Sequence, residues 1–231
     1  MFTGIVQQVG QIYSLVDKPN ARSYTVKLPL SYCQGINIGD SVANNGCCLT
    51  VVKYEYYHQG KLISEQELEN LEQKYFTLEQ NTYALLSFDL ISTTLELTNL
   101  GQLKVGDSLN IERSFKLGAE VGGHIMSGHI DQKIQVVKLY QEDNIYQLEF
   151  ALPDEFKPFV FNKGFVGIDG MSLTVSSLTE RGFTVNLIPE TLEKTTIKKR
   201  QVGDYVNFEI ENNTKVIVNT VNAYLEKLKL K

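Results

Sequence analysis

The chain has 231 residues, 42% hydrophobic and 21% charged, the balance of an ordinary globular protein with room for one or two cores. A net charge of −5 without a basic run argues against a nucleic-acid-binding surface, and no run of about 18 apolar residues is present to cross a membrane. Three cysteines, Cys33, Cys47 and Cys48, form neither a disulfide framework nor a zinc spacing, and Met1 to Gly10 lacks the pattern of a signal peptide. Together these features predict a cytoplasmic protein.

In chain order, the first strong signal is alternation over Ser23–Leu28, where Tyr24, Val26 and Leu28 share one side of a half-buried strand. Gly39-Asp40 marks a turn. Between about residues 56 and 82 the pattern changes. Ser64 and Glu67 make a capping box, in which side chains satisfy the free amide donors of a helix start, and Leu68, Leu71 and Tyr75 follow at helical spacing. A hairpin extended by a short amphipathic helix is expected there. Gly106-Asp107 is another turn. The glycine-rich stretch Gly118 to Gly128 has neither the Lys-Ser/Thr ending of a phosphate loop nor a dinucleotide fingerprint, and reads as a linker. Alternation returns over Tyr146–Leu152, Phe183–Leu187 and Tyr205–Ile210, with a turn at Gly203-Asp204. Many short strands with frequent turns predict an all-β sandwich or barrel. The tail from Thr214 to Lys231 sets Ile217, Val221, Tyr224 and Leu228 on one narrow apolar seam of a helix. A helix this short is marginal alone in water, so it must pack on its own barrels or on another copy.

The chain also contains itself twice. Thr3-Gly4 returns as Ser127-Gly128, Leu28-Pro29 as Leu152-Pro153, and Gly46-Cys47-Cys48-Leu49-Thr50-Val51 as Gly170-Met171-Ser172-Leu173-Thr174-Val175, all at an offset of 124. Leu90-Ile91 then matches Leu187-Ile188, Thr94-Leu95-Glu96 matches Thr191-Leu192-Glu193, and Val105-Gly106-Asp107 matches Val202-Gly203-Asp204, at an offset of 97. The first copy is therefore longer by 27 residues, the difference of the two offsets. The expected organisation is a first barrel over 1–123 with the insertion near 56–82, a second over 124–212, and a terminal helix over 213–231.

The copies differ where chemistry is possible: Cys48 faces Ser172, Ile5 faces His129 and Asn45 faces Asp169. A cysteine in this position is either a thiolate nucleophile or a small buried hydrophobe. His129 is suited to moving protons near neutral pH. With His124 nearby it lacks a third ligand and a zinc-type spacing, so no metal is expected. Asp169-Gly170-Met171-Ser172 presents a carboxylate and a hydroxyl together, or is simply a turn. Arg22-Ser23-Tyr24-Thr25 fits the short Arg-x-Tyr-Ser/Thr pattern of flavin-binding reductase barrels, but the chain has no glycine-rich nicotinamide fingerprint to accompany it.

Several segments in the right order carry a more specific resemblance. Met1-Phe2-Thr3-Gly4-Ile5-Val6, Asn45-Gly46-Cys47-Cys48-Leu49-Thr50-Val51, Thr98-Asn99-Leu100-Gly101, Gly122-Gly123-His124 running into Ser127-Gly128-His129, Gly167-Ile168-Asp169-Gly170 with Ser172-Leu173-Thr174, and Ile188-Pro189-Glu190-Thr191-Leu192 together resemble the riboflavin synthase family. The resemblance covers nearly the whole chain outside the insertion. It implies two six-stranded Greek-key barrels, each binding one lumazine, and a C-terminal helix that bundles in a homotrimer. It implies an active site between the first barrel of one subunit and the second barrel of its neighbour. The implied reaction converts two molecules of 6,7-dimethyl-8-ribityllumazine into riboflavin and 5-amino-6-ribitylamino-uracil by passing a four-carbon unit, without a cofactor. The lumazine-making enzyme is a candidate partner.

Carried over by matching motif, the first pocket would use Gly4, Ile5, Val6, Cys48, Leu49 and Thr50 with Asp89, Leu90, Ile91, Ser92, Thr93 and Thr94. The second would use Gly128, His129, Ile130, Lys163, Ser172, Leu173 and Thr174 with Asn186, Leu187, Ile188, Pro189, Glu190 and Thr191. The resemblance places Cys48, His129, Asp169 and Ser172 nearest the chemistry, with His129 and Ser172 as candidates to relay the proton of the acidic C7 methyl. One position departs from the family pattern: Ser92-Thr93-Thr94-Leu95 has Thr93 where a glutamate is common. A lumazine or flavin carrier of the same fold is the alternative reading.

Overall fold

A computed structural model describes residues 1–74, 81–142 and 145–229. The first repeat contributes β1 (Gln8–Lys18), β2 (Ala21–Pro29), α1 (Leu30–Cys33), β3 (Ser41–Asn44), β4 (Cys47–His58), β5 (Lys61–Ile63), α2 (Glu65–Lys74), β6 (Thr82–Ile91), α3 (Ser92–Leu97) and β7 (Ser108–Arg113). The second contributes β8 (Gln132–Glu142), β9 (Ile145–Ala151), β10 (Phe165–Ile168), β11 (Met171–Leu178), β12 (Gly182–Leu187), α4 (Pro189–Lys194) and β13 (Tyr205–Ile210), followed by α5 (Asn212–Lys229).

Each repeat closes into an antiparallel barrel. In the first the order is β3-β7-β1-β2-β6-β4, closed by pairing of β3 with β4, with β5 added outside the ring. The second runs β10-β13-β8-β9-β12-β11 and closes in the same way. Closure removes the free edges that an open six-stranded sheet would expose. The bulges are duplicated too. β1 shifts register between Ile12 and Ser14 and β8 between Val136 and Lys138, while β4 shifts between Val51 and Lys53 and β11 between Val175 and Ser177. These are the points where the strands bend to close the ring.

Alternation along the strands fills each barrel with its own core. Tyr24, Val26, Leu28, Phe88 and Ile111 sit in the first, and Phe150, Val175, Phe183 and Phe208 in the second. A third, small cluster of Phe2, Ala43 and Met126 lies between them. Phe2 and Met126 pair there as a two-residue antiparallel bridge, exchanging N–H···O bonds of 2.8 and 3.0 Å.

Asparagines bind the two barrels together about a local two-fold axis. Asn45 Oδ1 accepts from the Asn110 N–H at 2.8 Å, and its carbonyl accepts from Asn207 Nδ2 at 2.8 Å. The mirrored contact runs from Asn110 Nδ2 to the Asp169 carbonyl at 2.8 Å. Asn99 N–H donates to Asn207 Oδ1 at 2.7 Å, and Thr196 N–H to Asn110 Oδ1 at 2.8 Å. At the axis Gly46 and Gly170 touch backbone to backbone. A Cβ on Gly46 would lie 2.6 Å from the Gly170 nitrogen, so neither position tolerates a side chain.

The insertion forms as expected in its described part. β4 and β6 run on together to His58 and Thr82, well past the turn that joins β11 to β12. Glu67 Oε2 accepts from Ser64 N–H and Oγ, both at 2.8 Å, and Ser64 Oγ accepts from the Glu67 N–H at 3.2 Å, completing the capping box of α2. Leu68 is buried on the first core; Tyr75 lies outside the described residues. Arg22, whose motif hinted at flavin binding, is occupied structurally: it pairs with Asp17 at 2.7 Å and donates to the carbonyls of Leu100, Gly101 and Leu103. At α5, Glu211 accepts from the N–H groups of Asn213 and Thr214 at 2.9 and 2.7 Å, capping the helix start. Beyond that turn Ile217, Val221, Tyr224 and Leu228 all remain exposed, so the described residues of the chain leave this apolar seam uncovered.

Candidate active site

The segment that precedes each barrel crosses to the other one. Residues 2–6 lead into β1 of the first barrel, yet the Gly4 carbonyl accepts from the Ser172 N–H on β11 at 2.8 Å, and Val6 packs against the second core. The chain then returns, with the Gln7 N–H donating to Ile111 on β7 at 3.0 Å. In mirror image, the Gly128 carbonyl accepts from the Cys48 N–H on β4 at 2.8 Å, and Ile130 packs against the first core. Each contact is as close as backbone permits. Gly4 and Gly128 have φ of 73° and 80°, and a Cβ on either would lie 2.6 Å from the Cβ of Ser172 or Cys48.

This exchange corrects the grouping expected from the sequence. Gly4 joins Ser172 and Val6 the second core; Gly128 joins Cys48 and Ile130 the first core. Sequence position assigns each segment to the barrel it enters, and only the fold shows that the segment first lies on the neighbouring barrel. The stretch from Gly118 to Gly128 is likewise more than a linker, because it lays backbone on Cys48 and brings a histidine to Ser172.

That histidine is His124. It is buried, its ring stacks on Phe165 with centroids 5.4 Å apart, and its Nδ1 lies 2.6 Å from Ser172 Oγ. Burial pulls its pKa below the ordinary 6.5, against the opposing pull of Glu211, so the neutral imidazole is favoured. Its Nε2 is buried and makes no hydrogen bond to the described residues. A neutral imidazole within hydrogen-bond reach of a hydroxyl can accept that proton and return it. His129, the expected relay, is exposed instead. Its backbone N–H donates to Ser127 Oγ at 3.1 Å, and the residue before it, Gly128, is the one bonded to Cys48.

Asp169 is also reassigned. It is fully buried, and its Oδ1 accepts from Asn99 Nδ2 and the Asn207 N–H, both at 2.8 Å. Oδ2 pairs with Arg200 at 2.6 Å, and the carboxylate holds the guanidinium's pKa above its ordinary value. With both oxygens engaged, Asp169 is a pillar of the inter-barrel network and has no lone pair aimed at a ligand. Of the adjacent cysteines, Cys47 is buried and its thiol is pushed up to about 12, whereas Cys48 is half-exposed on the outer face of β4.

The remaining expected residues occupy matching positions on the two barrels. Alternation turns Leu49, Leu90, Leu173 and Leu187 into the cores, so these offer backbone only. Thr50 and Asp89 face outward on the first barrel, as Thr174 and Asn186 do on the second. Ser23 Oγ holds Asp89 at 2.5 Å, and Gln147 Nε2 holds Asn186 Oδ1 at 2.8 Å. Ile91 and Ile188 stand exposed at the starts of α3 and α4. Ser92, Thr93 and Thr94 open α3 as Pro189, Glu190 and Thr191 open α4, and Thr98 and Thr195 hydroxyls close both helices on the Thr94 and Thr191 carbonyls at 2.6 Å. The Thr93 departure thus leaves the helix unchanged and removes one carboxylate from its exposed face. Lys163, in the turn before β10, has a left-handed φ of 66° and donates its N–H to Val175 at 3.0 Å.

Two glutamates hold the crossing segments and were missed at the level of sequence. Glu112 accepts from the Thr3 N–H at 2.7 Å, Thr3 Oγ1 at 2.9 Å and the Gly4 N–H at 3.1 Å. Glu209 accepts from the Ser127 N–H at 2.7 Å, Ser127 Oγ at 2.8 Å and the Gly128 N–H at 3.2 Å. Burial raises both carboxyl pKa values above the ordinary 4.5 against these hydrogen bonds. The signal was available: Asn110-Ile111-Glu112 and Asn207-Phe208-Glu209 repeat at the same offset of 97.

Comparison with known proteins agrees with this architecture. A family model described as lumazine binding domain matches residues 3–114 and again 127–211. A riboflavin synthase of Escherichia coli (strain K12) is 42% identical over 97% of this chain and 93% of its own length. Riboflavin synthases of Chlamydia pneumoniae and Schizosaccharomyces pombe (strain 972 / ATCC 24843) are 35% and 30% identical, each over 97% of the chain and 97% and 96% of their own lengths. Among solved structures, LumP complexed with 6,7-dimethyl-8-(1'-D-ribityl) lumazine superposes with a TM-score of 0.71 at 21% identity, over 91% of this chain and 99% of LumP. At that identity the likeness is one of fold.

Proposed function

The chain belongs to the riboflavin synthase family, and from that premise we propose that it converts two molecules of 6,7-dimethyl-8-ribityllumazine into riboflavin and 5-amino-6-ribitylamino-uracil. The observation that carries this reading is the pair of matching positions with unequal chemistry: Cys48 on the first barrel and the Ser172–His124 couple on the second. Two copies of one compound need two related sites, and a transfer between them needs those sites to play different parts. Orientation of two bound reactants contributes on the order of 7–11 kcal/mol to lowering a bimolecular barrier. The residues then supply modest acid-base help. Ser172 passes its hydroxyl proton to neutral His124 as its Oγ takes the C7-methyl proton of the lumazine on the second barrel, and the imidazolium returns that proton later in the reaction. Cys48 and exposed His129 serve the lumazine on the first.

Within one chain the two positions belong to different barrels. We read the complete site as the first barrel of one subunit against the second of a neighbour in a homotrimer, as the exposed seam Ile217, Val221, Tyr224 and Leu228 of α5 supports. Cytoplasmic residence fits the three unpaired cysteines, and the lumazine-making enzyme remains the proposed partner. A subunit-mixing experiment tests the arrangement. Cys48→Ala and Ser172→Ala proteins, each impaired alone, are dissociated, mixed and reassembled. Random reassembly restores intact sites to about a quarter of the total when each site spans two subunits. No recovery would refute the shared site.

A further inference from the structure

We propose that Glu112 and Glu209 are positioning residues, each built into one barrel to fix a wall of the other barrel's pocket. Glu112 lies on β7 of the first barrel, opposite Ala43 on β3. Its carboxylate nevertheless gathers the Thr3 N–H, the Thr3 hydroxyl and the Gly4 N–H, and Gly4 is the residue whose carbonyl holds the Ser172 N–H. Glu209 lies on β13 of the second barrel, opposite Gly167, and gathers the same three kinds of donor from Ser127 and Gly128, whose carbonyl holds the Cys48 N–H.

The geometry makes each carboxylate an organiser of backbone rather than a reactant. Each carboxylate is buried and takes three donors from consecutive residues, so its role on this geometry is to hold backbone. Without the acceptor, two N–H groups and a hydroxyl would be buried unsatisfied, and the segment would have reason to leave. The glycine at each tip offers little resistance, since its left-handed φ is held by these contacts and by the backbone bond to Ser172 or Cys48. Coupling through the clamps is crossed: damage to the first barrel's glutamate appears at the second barrel's serine, and the reverse.

Amide hydrogen exchange on the full-length protein tests this without reference to activity, so its failure is distinct from failure of the proposed reaction, on which only the identity of each wall as part of a substrate pocket rests. The expected result is that Glu112→Ala speeds exchange of the Ser172 amide by about tenfold or more and leaves the Cys48 amide near its native rate. Glu209→Ala is expected to do the opposite. It should also raise the rate at which iodoacetamide alkylates Cys48 by about tenfold, read by peptide mass spectrometry. Both Gln variants turn an amide NH2 toward a glycine N–H and should fall between native and alanine, Glu209→Gln nearer native because its remaining oxygen still reaches all three donors. Thr3→Val and Ser127→Ala, each removing one donor, give graded versions in case an alanine variant fails to fold. Equal loosening of both amides, or loosening confined to β3 and β7 for Glu112 and to β10 and β13 for Glu209, would show a purely local structural role and overturn the proposal.

Discussion

The two barrels share a ring order, their bulges and their crossing segments, yet they solve one buried problem differently. In the second, Asp169 forms an ion pair with Arg200. At the matching places of the first stand Asn45 and Leu103, a neutral amide and an apolar side chain, both buried. The charge and its partner were therefore exchanged together, as burial demands: a lone carboxylate at Asp169 would carry an unpaid desolvation cost. The candidate sites differ in another way. Their backbone frame is the same and the side chains upon it differ, Cys48 in one and Ser172 with His124 in the other. Structural asymmetry was compensated within the interface, whereas chemical asymmetry was left standing where two identical ligands would have to play different roles.

The severest way to break the comparison is to strip one half of the ion pair. Asp169→Ala leaves Arg200 uncompensated and should destabilise the protein by about 3–5 kcal/mol in denaturant titration. The double change Asp169→Asn with Arg200→Leu imports the first barrel's solution, and most of that loss should return. Failure of the double variant to recover would show that the pair is not exchangeable as a unit.

Next in size is the chemical couple. Ser172→Ala and His124→Asn should each lower kcat for riboflavin formation by about 10²–10⁴, the usual range for a positioned proton relay, with smaller changes in KM. His129→Asn should cost less, because that side chain is exposed. Equal losses at His124 and His129 would contradict the assignment of the couple.

A smaller effect is expected in pH dependence. The folded pKa of His124 lies below 6.5, so the stability it contributes is present above that pH and is lost as pH falls through the folded value. The stability gap between native protein and His124→Asn should shrink as pH drops below 6.5. Glu112 and Glu209 act with the opposite sign, since their raised values favour the folded state as pH falls, but they are common to both proteins and cancel in the difference. The smallest expected change is Thr93→Glu, which returns a carboxylate to the exposed start of α3. It should alter lumazine affinity at the first pocket by a few-fold and stability by less than about 0.5 kcal/mol.

The duplication, the strand-rich fold, the insertion with its capping box and the terminal helix were legible because each leaves a local pattern: a constant offset, an alternation, a Ser-x-x-Glu, a seam. Motifs named the candidate residues but not their partners in the fold. Gly4 and Gly128 could be named, yet nothing in a linear spacing says that a segment lies on the barrel it does not enter. His124 and Asp169 were misjudged for the same reason. Burial and hydrogen-bond occupancy decide whether a polar side chain serves chemistry or architecture, and both arise from residues 48 positions away for His124 and 31 for Asp169.

The most direct measurement is to give the purified protein 6,7-dimethyl-8-ribityllumazine, with no added nucleotide or metal, and follow riboflavin absorbance beside lumazine loss. One riboflavin formed for every two lumazines consumed is the predicted result. Tight lumazine binding with no riboflavin formed would contradict the account and make the protein a carrier built on the same two barrels.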